Sequence, residues 1–131
     1  MNAKRPAHAK SPPGFRIKRI YEPAAADDGY RVLVDRLWPR GISKEKAHID
    51  VWLKEIAPTD ALRKWFHHDP ARWTEFVAKY RKELAGRKDL VQQIKKLEAD
   101  HGEVTLLYSA HDPARNQAVV LRQFLKGARS R

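Results

Sequence analysis

The chain has 131 residues, of which 42% are hydrophobic and 33% are charged, and its formal net charge is +11. A chain of this length and composition is expected to form one soluble globular domain with one core of modest size. It contains no cysteine, which excludes thiol nucleophiles, disulfides and cysteine-ligated metals.

Two further classes of protein are disfavoured by the sequence. No segment approaches the roughly 20 consecutive apolar residues that a membrane-spanning helix needs. Residues 1–13 are basic but lack the apolar stretch of a secretory signal. We therefore expect a cytoplasmic protein without a membrane partner, and nothing in the sequence indicates its oligomeric state.

The positive charge is concentrated at the two ends of the chain. Residues 1–13 and residues 126–131 each contain three cations and no acidic residue. We predict a disordered basic tail over 1–13, a single α/β domain over 14–126 and a basic C-terminal tail over 127–131. The charge permits weak binding to nucleic acid, but we prefer the interpretation that the tails keep a small protein in solution, since no recognition motif accompanies the charge.

The first two predicted strands are separated by a short loop. Residues 15–20 begin in polar–apolar alternation, as in a half-exposed edge strand, and residues 30–35 contain an apolar run typical of a buried strand. The connection is shorter than the dozen or more residues that a parallel crossover normally needs. We therefore predict that these strands form an antiparallel edge pair.

The middle of the chain contains capped helices and one ambiguous segment. Ser43 is expected to cap a short helical turn, and Thr59 or Asp60 to cap a helix over residues 61–66. Residues 49–56 match both strand alternation and a helical stripe. We interpret them as a strand, because β-branched residues open the segment.

The second half of the chain has a clearer pattern. Asp69 and Pro70 begin a helix whose apolar stripe is Trp73, Phe76, Val77, Tyr80 and Leu84. Another helix is predicted over residues 88–100, a central buried strand over 104–108, and a last helix that opens at Asp112. These elements predict an α/β fold, a single compact three-layer domain with a mixed sheet of about four strands flanked by helices.

Polar side chains follow two of the predicted strands. The segment DRLWPRG at residues 35–41 follows the second strand, and YSAHDP at 108–113 joins the last strand to the last helix. Ligands of α/β sheets usually bind outside the carboxyl ends of strands, and arginines beside a helix N-terminus suit a phosphate or carboxylate. The predicted ligand contacts are Arg36, Trp38, Arg40, Tyr108, Ser109 and Asp112.

Two of these assignments have structural alternatives. Asp35 and one of the arginines could instead form a buried brace, and Asp112 could be only a helix cap. Trp38 is the tryptophan that we assign to a ligand, whereas Trp65 and Trp73 fall on amphipathic stripes and are expected in the core.

The acid/base candidates are Asp35 and His68. His68 precedes Asp69, which could orient it for hydrolysis or transfer on a phosphate or acyl ligand. The alternative is a surface histidine beside a capping acid. The histidines show no metal-ligand spacing, and the sequence lacks the phosphate-binding and dinucleotide-binding loops, so we expect neither a metal nor a cofactor.

Four motifs resemble a known family. DRLWPRG at 35–41, WLKEIAP at 52–58, HDP at 68–70 and LYSAHD at 107–112 are similar to the YeaO-like branch of the domain-of-unknown-function 488 family. The resemblance covers about residues 15–125 and implies a compact α/β domain, but it brings no established activity. Larger relatives carry two cysteines and a His-Arg pair near the last strand, and their absence here excludes thiol chemistry.

The leading functional hypothesis is a pocket for a small anionic ligand at the carboxyl ends of the strands. Whether the pocket catalyses a reaction stays open. The alternative is a non-enzymatic accessory protein that binds nucleic acid through its basic surface.

Overall fold

The computed structural model describes residues 14–129, in which four strands and five α-helices are found. The strands are β1 (Gly14–Arg19), β2 (Tyr30–Leu33), β3 (Val51–Trp52) and β4 (Glu103–Tyr108). The helices are α1 (Lys44–Ala47), α2 (Asp60–Phe66), α3 (Trp73–Ala85), α4 (Lys88–His101) and α5 (Gln117–Arg129). The tail predicted over 1–13 lies outside the described residues, and α5 continues into the segment predicted as a C-terminal tail. None of the helices in the described part has the length and apolar character needed to cross a membrane.

The sheet has the strand order β1-β4-β2-β3, and all its pairings are parallel. The prediction that residues 104–108 form the central strand is confirmed, since β4 pairs on both sides and its last five residues are buried. The predicted mixed sheet and the antiparallel pairing of the first two strands are both wrong. β4 lies between β1 and β2, so these two strands are not neighbours.

The antiparallel prediction failed because the crossover from β1 to β2 is unusually short. A single 3-10 turn, Ala26–Asp28, replaces the usual helix, and it is held against β4 by a 2.5 Å hydrogen bond from the Thr105 hydroxyl to the Asp28 carbonyl. Gly29 then passes so close to β4 that a Cβ atom would lie 2.2 Å from the carbonyl oxygen of Glu103. Its φ of 68° also lies in the region that favours glycine.

A buried ion pair anchors the end of this crossover. The Arg31 guanidinium contacts the Asp28 carboxylate and donates to the carbonyls of Ala47 and His48, each at 2.9 Å. Burial raises the pKa of Asp28, but the Ala25 backbone N–H, the Lys18 ammonium and Arg31 outweigh it, so the net shift is downward. Asp28 therefore stays ionised, and its ion pair with Arg31 connects the β1–β2 crossover with β2 and the end of α1.

Local caps place the helices as predicted. The Ser43 hydroxyl accepts a hydrogen bond from the Lys46 N–H, and the Thr59 hydroxyl accepts one from the Leu62 N–H. Asp69 caps the 3-10 turn Pro70–Arg72 that leads into α3. These contacts lie within a few residues of each other, which is why the sequence alone predicts them.

The strand predicted over residues 49–56 is shorter in the structure. Only Val51–Trp52 pairs with β2, and a 3-10 turn over Lys54–Ile56 follows. The turn buries Ile56 in the core, where its carbonyl accepts a 2.6 Å hydrogen bond from the Tyr80 hydroxyl. Residues 49–56 match both a strand and a helix in sequence, and the helical alternative fits the end of the segment.

Alternate residues of β2 and β4 pack into two separate clusters. The larger one includes Val32 and Leu106 and receives Phe76, Tyr80 and Leu84 from the predicted stripe of α3. Trp73 and Val77 lie partly buried at its margin, as does Trp65. The smaller cluster is formed by Ile20, Leu33, Ala47 and Leu107, with Trp38 and Trp52 packed against it.

Candidate functional site

A cavity of about 700 Å³ opens where β1, β2 and β4 reach their carboxyl ends. Its lining comes from the end of β1 with Tyr21, the loop after β2, the segment from Ala57 through α2 to His68, Phe76 of α3, and the chain from Ser109 to the start of α5. Parallel strands bring their carboxyl ends to one edge of the sheet, so residues distant in sequence meet there. Of the predicted site residues, the lining includes Asp35, Arg36, Trp38, Arg40, His68 and Ser109.

Asp35 lies buried in the lining, and only 8% of its surface is exposed. Its Oδ1 accepts a 2.5 Å hydrogen bond from the Gln117 side-chain amide. Burial raises the pKa of Asp35, whereas hydrogen bonding from Ser109 and Gln117 and the positive charge of His68 oppose that rise. The two predicted acid/base residues are thus close enough to interact electrostatically.

Arg36 is engaged by the protein itself. Its guanidinium donates to the carbonyl oxygens of Ala57 at 3.0 Å and Pro58 at 3.3 Å, and it pairs with Glu55 at 3.1 Å. Within residues 14–129, no ion pair joins Asp35 to Arg36 or Arg40. The geometry favours a bracing role for Arg36, with the segment before α2 as its partner in place of Asp35.

Arg40 has different surroundings, although it leaves the same loop. It is exposed, it lines the cavity, and its guanidinium has no hydrogen-bond partner among the described residues. Its backbone carbonyl accepts a 2.6 Å hydrogen bond from the Tyr21 hydroxyl. The loop is therefore fixed at Arg40 while the charged end of the side chain stays available.

Arg63 brings a second incompletely used guanidinium to the cavity from α2. One of its terminal nitrogens donates to Asp60 at 3.1 Å, but its Nε is buried and has no hydrogen-bond partner in the described part of the chain. Lys64, the next residue, also lines the cavity. The Arg63 side chain is 39% exposed, so a ligand can approach its accessible part, while the buried Nε without an acceptor is a local cost in stability.

Sequence reasoning missed several lining residues, among them Arg19. Its guanidinium donates to the Ala110 carbonyl at 2.9 Å and lies 3.2 Å from Nδ1 of His111. An antiparallel pairing of β1 and β2 puts the carboxyl end of β1 beside the amino end of β2. The predicted pairing therefore did not bring Arg19 near Ser109. Among the other lining residues that the sequence did not indicate are Tyr21, Leu37, Arg63, Lys64, His67, Phe76, His111 and Gln117.

Trp38 contributes to the lining but is also tied into the fold. Its indole N–H donates to the Ile42 carbonyl at 2.8 Å, and its ring lies edge-on to Trp52 with centroids 5.5 Å apart. Tyr108 belongs to the buried core and does not line the cavity.

The expectation that the last helix opens at Asp112 is wrong. α5 begins at Gln117, and the Asn116 side chain caps it by accepting from the N–H groups of Ala118 and Val119. Asp112 lies outside the cavity lining and accepts from the N–H groups of Ala114 and Arg115 in the preceding turn. The helix N-terminus is therefore occupied by a protein cap.

His67 and His68 follow α2 in a left-handed conformation, with φ values of 47° and 54°. Both line the cavity. The Asp69 carboxylate caps Ala71 and lies 3.8 Å from Nε of Arg72, and no hydrogen bond or ion pair joins it to His68 among residues 14–129. His68 lies instead beside Phe66, with ring centroids 6.1 Å apart. The described residues contain no cluster of side chains that could hold a metal ion.

The fold and the cavity define a small parallel α/β protein with a cationic pocket at its strand ends. Residues 14–131 match the family DUF488-N3i, described as the inactive DUF488-N3 subclade, and the chain belongs to this family. This confirms the resemblance to the domain-of-unknown-function 488 family.

Curated relatives support the same assignment. The chain is 44% identical over 112 residues to the uncharacterised protein YeaO of Escherichia coli, covering 86% of this chain and 96% of the relative. It is 42% identical over 112 residues to the uncharacterised protein Rv3073c of Mycobacterium tuberculosis, covering 86% and 93% respectively. No solved structure matches the chain with statistical significance.

Proposed function

We propose that the cavity binds a small anionic ligand that carries a phosphate or carboxylate group. The observation that carries this proposal is the imbalance of charge around the cavity. The lining contains one carboxylate, that of Asp35, and five cationic side chains: Arg19, Arg36, Arg40, Arg63 and Lys64. Glu55 and Asp60, which pair with Arg36 and Arg63 from outside the lining, balance only part of this charge. Opposite charge would relieve the repulsion between the cationic side chains.

Arg40 and Arg63 are the principal anion contacts in this proposal. Arg36 and Arg19 already donate to backbone carbonyls, whereas Arg40 and the Nε of Arg63 lack acceptors among the described residues. Guanidinium groups suit phosphate and carboxylate because their N–H groups match the spacing of the two oxygens.

The proposal assigns binding to the cavity and no turnover. The description of the subclade as inactive supports a binding role. Any hydrolysis or transfer would use Asp35 and His68, since they combine a buried carboxyl of raised pKa with a neighbouring imidazole.

Charge-neutralising variants test the proposal. We expect phosphate or sulfate to raise the melting temperature of the wild-type protein, because a ligand that binds only the folded state stabilises it. Arg40→Gln and Arg63→Gln should reduce that protection while leaving the melting temperature without anion nearly unchanged. Lys82→Gln is the matched control, since it removes one exposed charge from α3 away from the cavity.

Arg36→Gln should behave in the opposite way. It removes the Arg36 donor from the Pro58 carbonyl and leaves the Ala57 carbonyl with the Arg87 guanidinium as its remaining side-chain donor, so it is expected to lower the free energy of unfolding by about 1–3 kcal/mol. If no anion protects the wild-type protein, or if Lys82→Gln loses as much protection as Arg40→Gln, the proposed function is wrong.

A further inference from the structure

Apolar side chains line the cavity in addition to the charged ones. Two large hydrophobic residues are exposed in the described part of the chain, Tyr21 at 39% and Leu37 at 59%, and both line this cavity. Isolated exposed apolar residues are common on protein surfaces, but their grouping at a concave site marks a contact for an apolar part of a ligand.

The size of the cavity points in the same direction. Its volume of about 700 Å³ lies in the range of about 300–1,000 Å³ that is typical of pockets for drug-sized ligands and cofactors. An inorganic phosphate held by Arg40 and Arg63 would leave most of this space empty. The remaining space is bordered by apolar surface from Tyr21, Leu37 and Trp38.

The aromatic ring of Tyr21 is held in a fixed position by two contacts. The Arg19 guanidinium stacks on its ring at 4.6 Å from the centroid, and its hydroxyl is fixed to the Arg40 carbonyl at 2.6 Å. The same hydrogen bond sets the ring beside the loop that carries the Arg40 guanidinium. Because Arg19 covers one face of the ring, a planar group would pack on the other face, next to the loop that carries Arg40.

We infer that the ligand is a mononucleotide, whose base packs against Tyr21 and Leu37 and whose phosphate is bound by Arg40 and Arg63. This inference rests on the proposed anion-binding function and specifies its substrate class. Aromatic side chains stack on any nucleobase, since every base has a π-face. Ser109 and His111 also line the cavity and carry hydrogen-bonding groups for the edge of a base, whereas the Asn116 side chain is occupied by its bonds to Asp112, Ala118 and Val119.

The experiment compares ligands that share a phosphate and differ in the base. Isothermal titration is performed with AMP, GMP, CMP and UMP, with ribose 5-phosphate and with inorganic phosphate. At least one mononucleotide should bind about five-fold or more tightly than ribose 5-phosphate, since stacking of one base on an aromatic side chain has an effect of this size.

Variants of Tyr21 and Leu37 separate the ring from the anion. Tyr21→Ala should weaken mononucleotide binding about five-fold relative to Tyr21→Phe, since both variants lack the hydroxyl and only the first lacks the ring. Leu37→Ala should weaken mononucleotide binding and leave the affinity for ribose 5-phosphate unchanged. Tyr21→Phe is the matched control, because it keeps the ring and removes the hydroxyl that bonds to Arg40. It should retain most of the preference for mononucleotides.

The outcomes distinguish the two proposals. Equal binding of mononucleotides and ribose 5-phosphate would overturn the inference about the base and leave the anion site intact. Absence of binding by every phosphate compound would overturn both. Binding of an oligonucleotide without any binding of mononucleotides would also overturn the inference, in favour of a polyanion surface.

Discussion

Arg36 and Arg40 lie four residues apart in one loop, and their surroundings determine what each can do. The carbonyls of Ala57 and Pro58 occupy the Arg36 guanidinium, which stabilises the segment before α2. Arg40 has only its backbone fixed, by Tyr21. The same residue type therefore serves the fold at one position and remains available to a ligand at the other.

Asp35 should make the stability of the protein depend on pH. Because burial raises its pKa in the folded state, the folded protein holds this proton more tightly than the unfolded chain does. Stability is then expected to fall as the pH rises from the ordinary pKa of an aspartate through the raised pKa of Asp35. Asp35→Asn cannot ionise, so it should lose this part of the pH dependence.

Urea unfolding of the wild-type and Asp35→Asn proteins at pH 4 and pH 7 measures this effect. The free energy of unfolding of the variant minus that of the wild type should be larger at pH 7 than at pH 4, since only the wild type loses stability as Asp35 ionises. Asp112→Asn is a suitable control, since Asp112 lies outside the cavity and its pKa is lowered, chiefly by the Ala114 N–H. A variant whose disadvantage grows with pH would contradict the assignment.

At the scale of elements, α3 connects the core with the cavity. Phe76 is 2% exposed and stacks on Phe66 with centroids 4.3 Å apart, and both rings also border the cavity. Phe76→Ala is expected to lower the free energy of unfolding by about 3–5 kcal/mol, the usual cost for a buried aromatic residue.

Trp73→Ala provides the comparison, because Trp73 lies on the same helix face but is only partly buried. Its cost should be smaller than that of Phe76→Ala, since less apolar surface returns to water. Denaturant unfolding of both variants decides the order. A larger loss for Trp73→Ala would show that its contacts with Phe66 and Phe76 contribute more than its burial.

These elements also show what the sequence can and cannot predict. The start of α2 and the 3-10 turn that leads into α3 follow from Thr59 and Asp69, whose capping bonds span two or three residues. Strand pairing depends on contacts across the chain. The position of β4 between β1 and β2 rests on contacts such as that between Thr105 and Asp28, which no local pattern records.

The same distinction applies to the site. Asp35, Arg40 and Ser109 were predicted because each follows a strand, and all three line the cavity. Arg63 was missed because α2 reaches the cavity through tertiary packing. The start of α5 was misplaced because Asp112-Pro113 is itself a helix-opening signal, although the cap that operates is Asn116.

For the whole molecule, the net charge of +11 predicts a second, less specific kind of binding. Association with a single-stranded oligonucleotide should weaken steeply between about 50 and 200 mM salt, because many counterions are released. Binding of a mononucleotide should change much less over the same range, since few charges are neutralised.

The two kinds of binding are compared at both salt concentrations. Fluorescence anisotropy measures binding of a labelled oligonucleotide, and titration measures binding of a mononucleotide. The double variant Arg40→Gln/Arg63→Gln should impair mononucleotide binding and change the salt dependence for the oligonucleotide only slightly. If the double variant abolishes both, and the mononucleotide displaces the oligonucleotide, then the cavity itself is the polyanion site.

The close approach of Gly29 to Glu103 has a consequence for how the cavity could change over evolution or by design. That contact lies at the amino end of the β2–β4 pair, where Tyr30 is level with Val104, whereas Asp35 and Ser109 emerge at the far end. The alignment of β2 and β4 is therefore fixed at the end of the strands opposite the cavity. Insertions, deletions and substitutions in the loops around the cavity should therefore leave the relative position of the strand ends unchanged.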